Sequence, residues 1–114
     1  MTENISILIA NFNNSRYINE CITSVLNQTS GNWEISFLDD LSTDNSLDVI
    51  KSFCNNKIDI YEANENRGYA EALKDLVDLS TNDIVGILDS DDALMPDAVE
   101  TILRYYEDNP EHQA

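Results

Sequence analysis

An α/β fold, doubly wound around a mostly parallel sheet with helices on both faces, follows from three features of the sequence. Short β-branched apolar runs alternate with stripes of apolar residues at helical spacing. The order strand, loop, helix repeats along the chain, and a polar cluster follows each run. Such alternation argues for parallel strands joined by right-handed crossovers, which lay helices against the sheet. The chain has 114 residues, 42% of them apolar and 25% charged, with two prolines and three glycines, which suits one domain without a long flexible linker.

Ile5 to Ala10 is the first strand, and the turn-forming cluster Asn11-Phe12-Asn13-Asn14-Ser15 ends it. Tyr17, Ile18, Cys21, Ile22, Val25 and Leu26 then recur at helical spacing, with Asn14 or Ser15 as the cap and Thr29-Ser30-Gly31 as the stop. Trp33 to Leu38 is a second strand running into Asp39-Asp40. Leu47, Ile50, Phe53 and Cys54 mark a second helical stripe after Ser42-Thr43-Asp44-Asn45. Ile58 to Tyr61 is the third strand, a polar loop spans Asn64 to Gly68, and Tyr69, Leu73, Leu76 and Val77 give a third helix. Ile84 to Leu88 is the fourth strand. Pro96 opens a last helix carrying Val99, Ile102, Leu103 and Tyr106, and Pro110 breaks it.

Charge narrows the function classes. Twenty-two acidic residues against six basic ones give a net charge of −16, so the positive footprint that nucleic acids require is absent. The same field repels a small anionic substrate unless a metal ion or a local arginine neutralises it. No apolar run approaches the ~20 residues of a membrane span, and the chain starts without a signal-like segment. Cys21 and Cys54 fall on apolar helical stripes without Cys-x-x-Cys spacing, which predicts two reduced core thiols in a cytosolic protein.

The fourth strand ends in Asp89-Ser90-Asp91-Asp92, three carboxylates within four positions. Like charges about 4 Å apart repel by roughly 1 kcal/mol in water and by more where water is scarce. A chain gathers them to hold a cation, and hard divalent cations take oxygen ligands of this kind. In open parallel sheets, ligands bind beyond the carboxyl ends of the strands. All four polar clusters, at 11–15, 39–44, 64–68 and 89–92, fall on that edge. Plainer roles are open to each residue. Asp44 reads as a cap of the second helix, Asp39 and Asp40 as turn residues, Phe12 as core, and Asp92 as a cap of the segment after it or a further ligand. Lys74 reads as solvated, Tyr105 and Tyr106 as core or interface, and His112 lies in a polar tail.

In their order along the chain, the segments "ISILIANFN" at 5–13, "SVLNQT" at 24–29, "DDLSTD" at 39–44, "NENRGYAEAL" at 64–73 and "LDSDD" at 88–92 resemble the motifs of family 2 inverting glycosyltransferases. The resemblance covers nearly the whole chain. It implies a GT-A fold, its Rossmann-like half, with a nucleotide-diphosphate sugar, a UDP-sugar, as donor and Mn²⁺ or Mg²⁺ as cofactor. By position it implies nucleotide-sugar contacts from Ala10, Phe12, Asn13, Asp39, Asp40, Arg67 and Ser90, and metal binding by Asp89 and Asp91, the acids of a D-x-D motif. The chain departs from the family's habit in three places: Ala10-Asn11 stands where Pro-Thr or a similar pair is usual, Leu41 where a glycine is usual, and an asparagine or similar small polar residue is usual near Lys74.

The resemblance further implies that residues 1–114 form a single donor-binding domain of a truncated glycosyltransferase, with the acceptor site and the catalytic base beyond Ala114. The expected reaction is inverting transfer to the hydroxyl of a saccharide, lipid or protein acceptor, in the cytoplasm or at the inner face of the membrane. Two other classes share some features. A non-catalytic nucleotide-sugar-binding module needs no base. A phosphotransferase of the haloacid-dehalogenase type also uses a strand followed by Asp-x-Asp, but on its first strand, whereas here the motif follows the fourth.

Overall fold

The computed structural model describes residues 3–109, so the positions read for Pro110 and His112 lie outside the described residues. The elements are β1 (Ile5–Asn11), α1 (Ser15–Leu26), β2 (Trp33–Asp39), α2 (Ser46–Lys51), β3 (Ile58–Glu62), α3 (Tyr69–Leu79), β4 (Ile84–Ile87) and α4 (Ala98–Asp108). The strands form one sheet in the order β3-β2-β1-β4. Every pairing is parallel: Ile5 to Asn11 of β1 stand opposite Trp33 to Asp39 of β2, and β4 pairs with β1 from Ile5↔Ile84 to Leu8↔Ile87.

β1 is central and covered on both faces, which is why all seven of its residues are buried. Its alternation divides the core. Ile5, Ile7 and Ile9 pack with Ile35 and Phe37 against α1, α2 and α4 through Ile18, Ile22, Val25, Ile50, Val99 and Leu103. Leu8 and Ala10 face the other way and meet Leu38 and, from α3, Ala72 and Leu76. Burial of a side chain of this size contributes about 1.5–3 kcal/mol. Helices therefore lie on both faces of a parallel sheet, as the alternating pattern predicts.

Several details differ from the sequence reading. α2 ends at Lys51, so Phe53 only packs against the core from outside the helix and Cys54, at φ 47°, is exposed. The expected second core thiol is thus a surface thiol, whereas Cys21 is buried. Tyr17 is exposed on α1, and Tyr69 and Val77 are exposed on α3; of the expected α3 stripe, Leu76 is buried and Leu73 packs against the core, and Ala72 joins them. An alanine carries little weight in a hydrophobic periodicity, so the part of Ala72 in that stripe is not legible in the sequence. α4 begins at Ala98, two residues after Pro96, whose carbonyl accepts a hydrogen bond from the Thr29 amide at 2.9 Å. Among the described residues, no helix is long and apolar enough to cross a membrane.

Candidate functional site

The carboxyl edge of the sheet is built around the acidic turn after β4. The Leu88 amide donates to the Leu8 carbonyl at 3.0 Å and prolongs the ladder by one residue; the Asp92 amide then folds back onto the Asp89 carbonyl at 2.9 Å. This turn sets one carboxylate oxygen from each of Asp89, Asp91 and Asp92 within 4.8 Å of the others, all on exposed residues. Asp92, which the sequence left open between cap and ligand, joins the cluster, and the helix after it starts only at Ala98. The donor set is oxygen alone and carries three negative charges, which suits Mn²⁺ or Mg²⁺.

Neighbouring elements hold the turn in place. Ser90 is buried, and its hydroxyl accepts from the Asn14 carboxamide at 3.0 Å. The Cys21 thiol, on α1, lies 3.7 Å from the Asp89 carbonyl as donor. From the start of α3, the Tyr69 hydroxyl donates to Asp89 Oδ1. Ala10, Phe12, Asn14, Tyr69, Asp89, Ser90 and Asp91 line a cavity of about 340 Å³ above this end of β1. Burial first, and then the charges of Asp92, Asp91 and Asp89, push the Cys21 thiol up to about 12. The bond to Asp89 first, with burial and the same acids behind it, pushes the Tyr69 hydroxyl up to about 12. Both groups therefore stay neutral donors beside the acids.

Asp39 and Asp40 occupy the neighbouring strand end, and both are buried. Asp39 accepts from Asn11 Nδ2 at 2.9 Å, the Ser42 amide at 2.9 Å and the Ser42 hydroxyl at 2.6 Å. Asp40 accepts from the amides of Arg67 at 3.0 Å and Gly68 at 2.9 Å. Gly68 has φ 91°, a conformation that a side chain would strain, so its position below Asp40 depends on glycine. These two carboxylates thus fix the loops around the site. A second cavity, of about 440 Å³, lies beside them between β3 and α3, with Asp40, Tyr61, Asn64 and Arg67 among its lining residues.

Arg67 sits at that second cavity, and its guanidinium is engaged by Glu71 at 3.1 Å and by Asp75. It is not drawn to the Asp89–Asp92 turn. Phe12 is exposed at the first cavity and is not core. Asn13, at φ 55°, uses its carboxamide oxygen to accept the Thr43 amide at 2.8 Å and its own amide to bond Ser42. Asp44 accepts from the amides of Ser46 at 2.9 Å and Ser15 at 3.1 Å, joining the first turns of α2 and α1. Burial opposes it, but the bonds from Ser46 and Ser15 hold its carboxyl below the usual range. Lys74 is exposed.

Asn14, Tyr69, Asn11 and Ser42 are the site residues that the sequence reading passed over. Asn14 shares the reading of helix cap with Ser15, and Tyr69 reads as part of the stripe of the third helix; neither spacing nor composition reveals a partner 76 or 20 residues away. Asn11 Oδ1 is the one buried side-chain oxygen or nitrogen among the described residues without a hydrogen-bond partner.

The family model for glycosyl transferase family 2 matches residues 6–114. Among curated proteins, a chondroitin synthase of Pasteurella multocida (strain Pm70) is 41% identical over 103 residues; the match covers 90% of this chain and 11% of that protein. The chain thus spans about a tenth of that relative's length. Among solved structures, S. aureus TarS 1-349 in complex with UDP-GlcNAc superimposes with a TM-score of 0.86 at 21% identity, covering 92% of this chain and 31% of that one. The mannosyltransferase PcManGT from Pyrobaculum calidifontis, in complex with GDP-Man and Mn2+, gives 0.77 at 22% identity, covering 90% of this chain and 31% of its own. The fold is shared with both.

Proposed function

Because this chain belongs to glycosyl transferase family 2, we propose that its carboxyl edge is the donor site of a glycosyltransferase that takes a UDP-sugar with Mn²⁺ or Mg²⁺. The observation that carries this reading is the turn at Asp89 to Asp92, which collects three carboxylates on the edge where such sheets bind ligands. Asp89 and Asp91 are the first ligands in this proposal, with Asp92 in reach as a third. When bound there, the cation supplies charge neutralisation for the diphosphate as it leaves. Phe12 and Ala10 offer an apolar wall for the base or ribose, and Asn13, Asp39, Asp40 and Ser90 shape the loops that hold the nucleotide. Arg67 supplies positive charge at the rim once its pairing with Glu71 and Asp75 is exchanged for phosphate.

The reaction that follows from this reading is inverting displacement at the anomeric carbon by an acceptor hydroxyl. The base that takes the hydroxyl proton and the acceptor site are contributed by parts of the enzyme outside this donor domain. The chondroitin synthase relative favours a growing polysaccharide as acceptor. The family match weighs for transfer against the phosphotransferase reading, and a module that binds without turnover is the remaining rival. Equilibrium dialysis of UDP in Mn²⁺ tests the site: retention that is lost on chelation supports the proposal, and retention unaffected by chelation contradicts the metal's part in it.

A further inference from the structure

Resting on that reading of the acidic turn as a cation site, we propose that Tyr69 is a positioning residue that fixes the Asp89 carboxylate for the metal through the hydrogen bond from its hydroxyl. Three observations support it. Tyr69 is half exposed, so its ring is not held there by core packing, yet its hydroxyl ends on one oxygen of Asp89. Its backbone is anchored independently, since the preceding amides of Arg67 and Gly68 are clamped by Asp40, a residue buried at the end of β2. Ser90 is held by Asn14, which precedes α1, and the Asp89 carbonyl by Cys21 on α1, which leaves the Asp89 side chain itself to Tyr69. The contact therefore runs from the buried end of β2, through the start of α3, to the turn after β4.

A carboxylate that ligates a metal is commonly oriented by a second hydrogen bond, and removal of such a partner costs about 10- to 100-fold in metal affinity. The phenol engages Oδ1 and the carboxylate keeps a second oxygen as a ligand, in a cluster with Asp91 and Asp92. Removing only the hydroxyl releases the carboxylate while keeping the ring in the side chain.

The test is calorimetric titration of Mn²⁺ alone into the wild-type protein, Tyr69→Phe and Tyr69→Ala, with circular dichroism of each metal-free protein to compare the folds. The expected result is an unchanged spectrum and a loss of Mn²⁺ affinity of about 10-fold or more in both variants. Wild-type affinity in Tyr69→Phe, with loss confined to Tyr69→Ala, would assign the effect to the ring and overturn the proposal. If the wild type takes up no Mn²⁺, the cation site itself fails and the role of Tyr69 fails with it. A wild type that binds beside a Tyr69→Phe that binds equally sinks the positioning role alone.

Discussion

Asn11 and Asp39 stand opposite each other as the last paired residues of β1 and β2, and the carboxamide of the first donates to the carboxylate of the second at 2.9 Å. Both are buried. The bond fixes which way the amide points, since reversing it would set its oxygen against the Asp39 carboxylate. Asn11→Asp keeps the shape and replaces the donor with a second charge. We expect a loss of about 3 kcal/mol or more at pH 7, the scale of an uncompensated buried charge. Like charges at this distance raise a carboxyl's folded pKa above its unfolded value, so the deficit is full above the raised folded value and shrinks as pH falls from there to the unfolded carboxyl range. Urea unfolding of both proteins between pH 4 and 8 measures this, and a deficit independent of pH would contradict it.

Asp40 clamps two successive amides, those of Arg67 and Gly68. Asp40→Ala leaves both donors without that partner in the loop before α3. Hydrogen bonds to a charged group contribute about 1.5–3 kcal/mol each, with partial recovery through water. The expected cost is about 2–4 kcal/mol in chemical denaturation, with faster amide exchange at Arg67 and Gly68. A variant as stable as the parent would show that another contact holds the loop.

Leu41 occupies the left-handed region at φ 61°, where a side chain is strained. It is also half exposed, so it gains little from burial there. Such a conformation costs roughly 1–2 kcal/mol for a residue with a Cβ, against the roughly 0.5–1 kcal/mol of added chain entropy that a glycine brings. Leu41→Gly is expected to raise stability by up to about 1 kcal/mol, read as a rise in melting temperature. A fall would mean that the leucine side chain makes a contact worth more than the strain.

The two thiols should separate in reactivity. Cys54 is exposed, whereas Cys21 is buried, with its thiol pushed up to about 12 by burial and the three nearby aspartates. Only the thiolate attacks a disulfide reagent. At pH 8 one thiol per native chain should react promptly and the second only on unfolding. Equal prompt reaction of both would place Cys21 outside the core.

Much of this fold was legible because its signals are local. A strand such as β1 declares itself through Ile5 to Ala10, and the four polar clusters mark the carboxyl edge whatever the packing. The acidic turn was legible for the same reason, since its three carboxylates are neighbours in the chain. What stayed hidden depends on partners distant in sequence. Nothing local in Tyr69 points to Asp89, and the apolar spacing that sets it in the stripe of the third helix is compatible with a ring that faces a cavity. Asp39 and Asp40 read alike as adjacent acids. Yet one is bound to β1 and the Ser42 turn and the other to the loop before α3, a division that appears only once the strands are side by side. Cys54 was misread because helical spacing continues past Lys51 while the backbone does not.

In the proposed donor site, the turn after β4 holds a cation that in turn holds the nucleotide. Calorimetric titration of UDP in Mn²⁺ into the wild type and Asp91→Asn tests it most directly. The account predicts binding by the wild type that disappears with chelator, and binding by Asp91→Asn that is weaker by about 10-fold or more and indifferent to chelator. Equal affinity of the two proteins, with the same response to chelation, would contradict it.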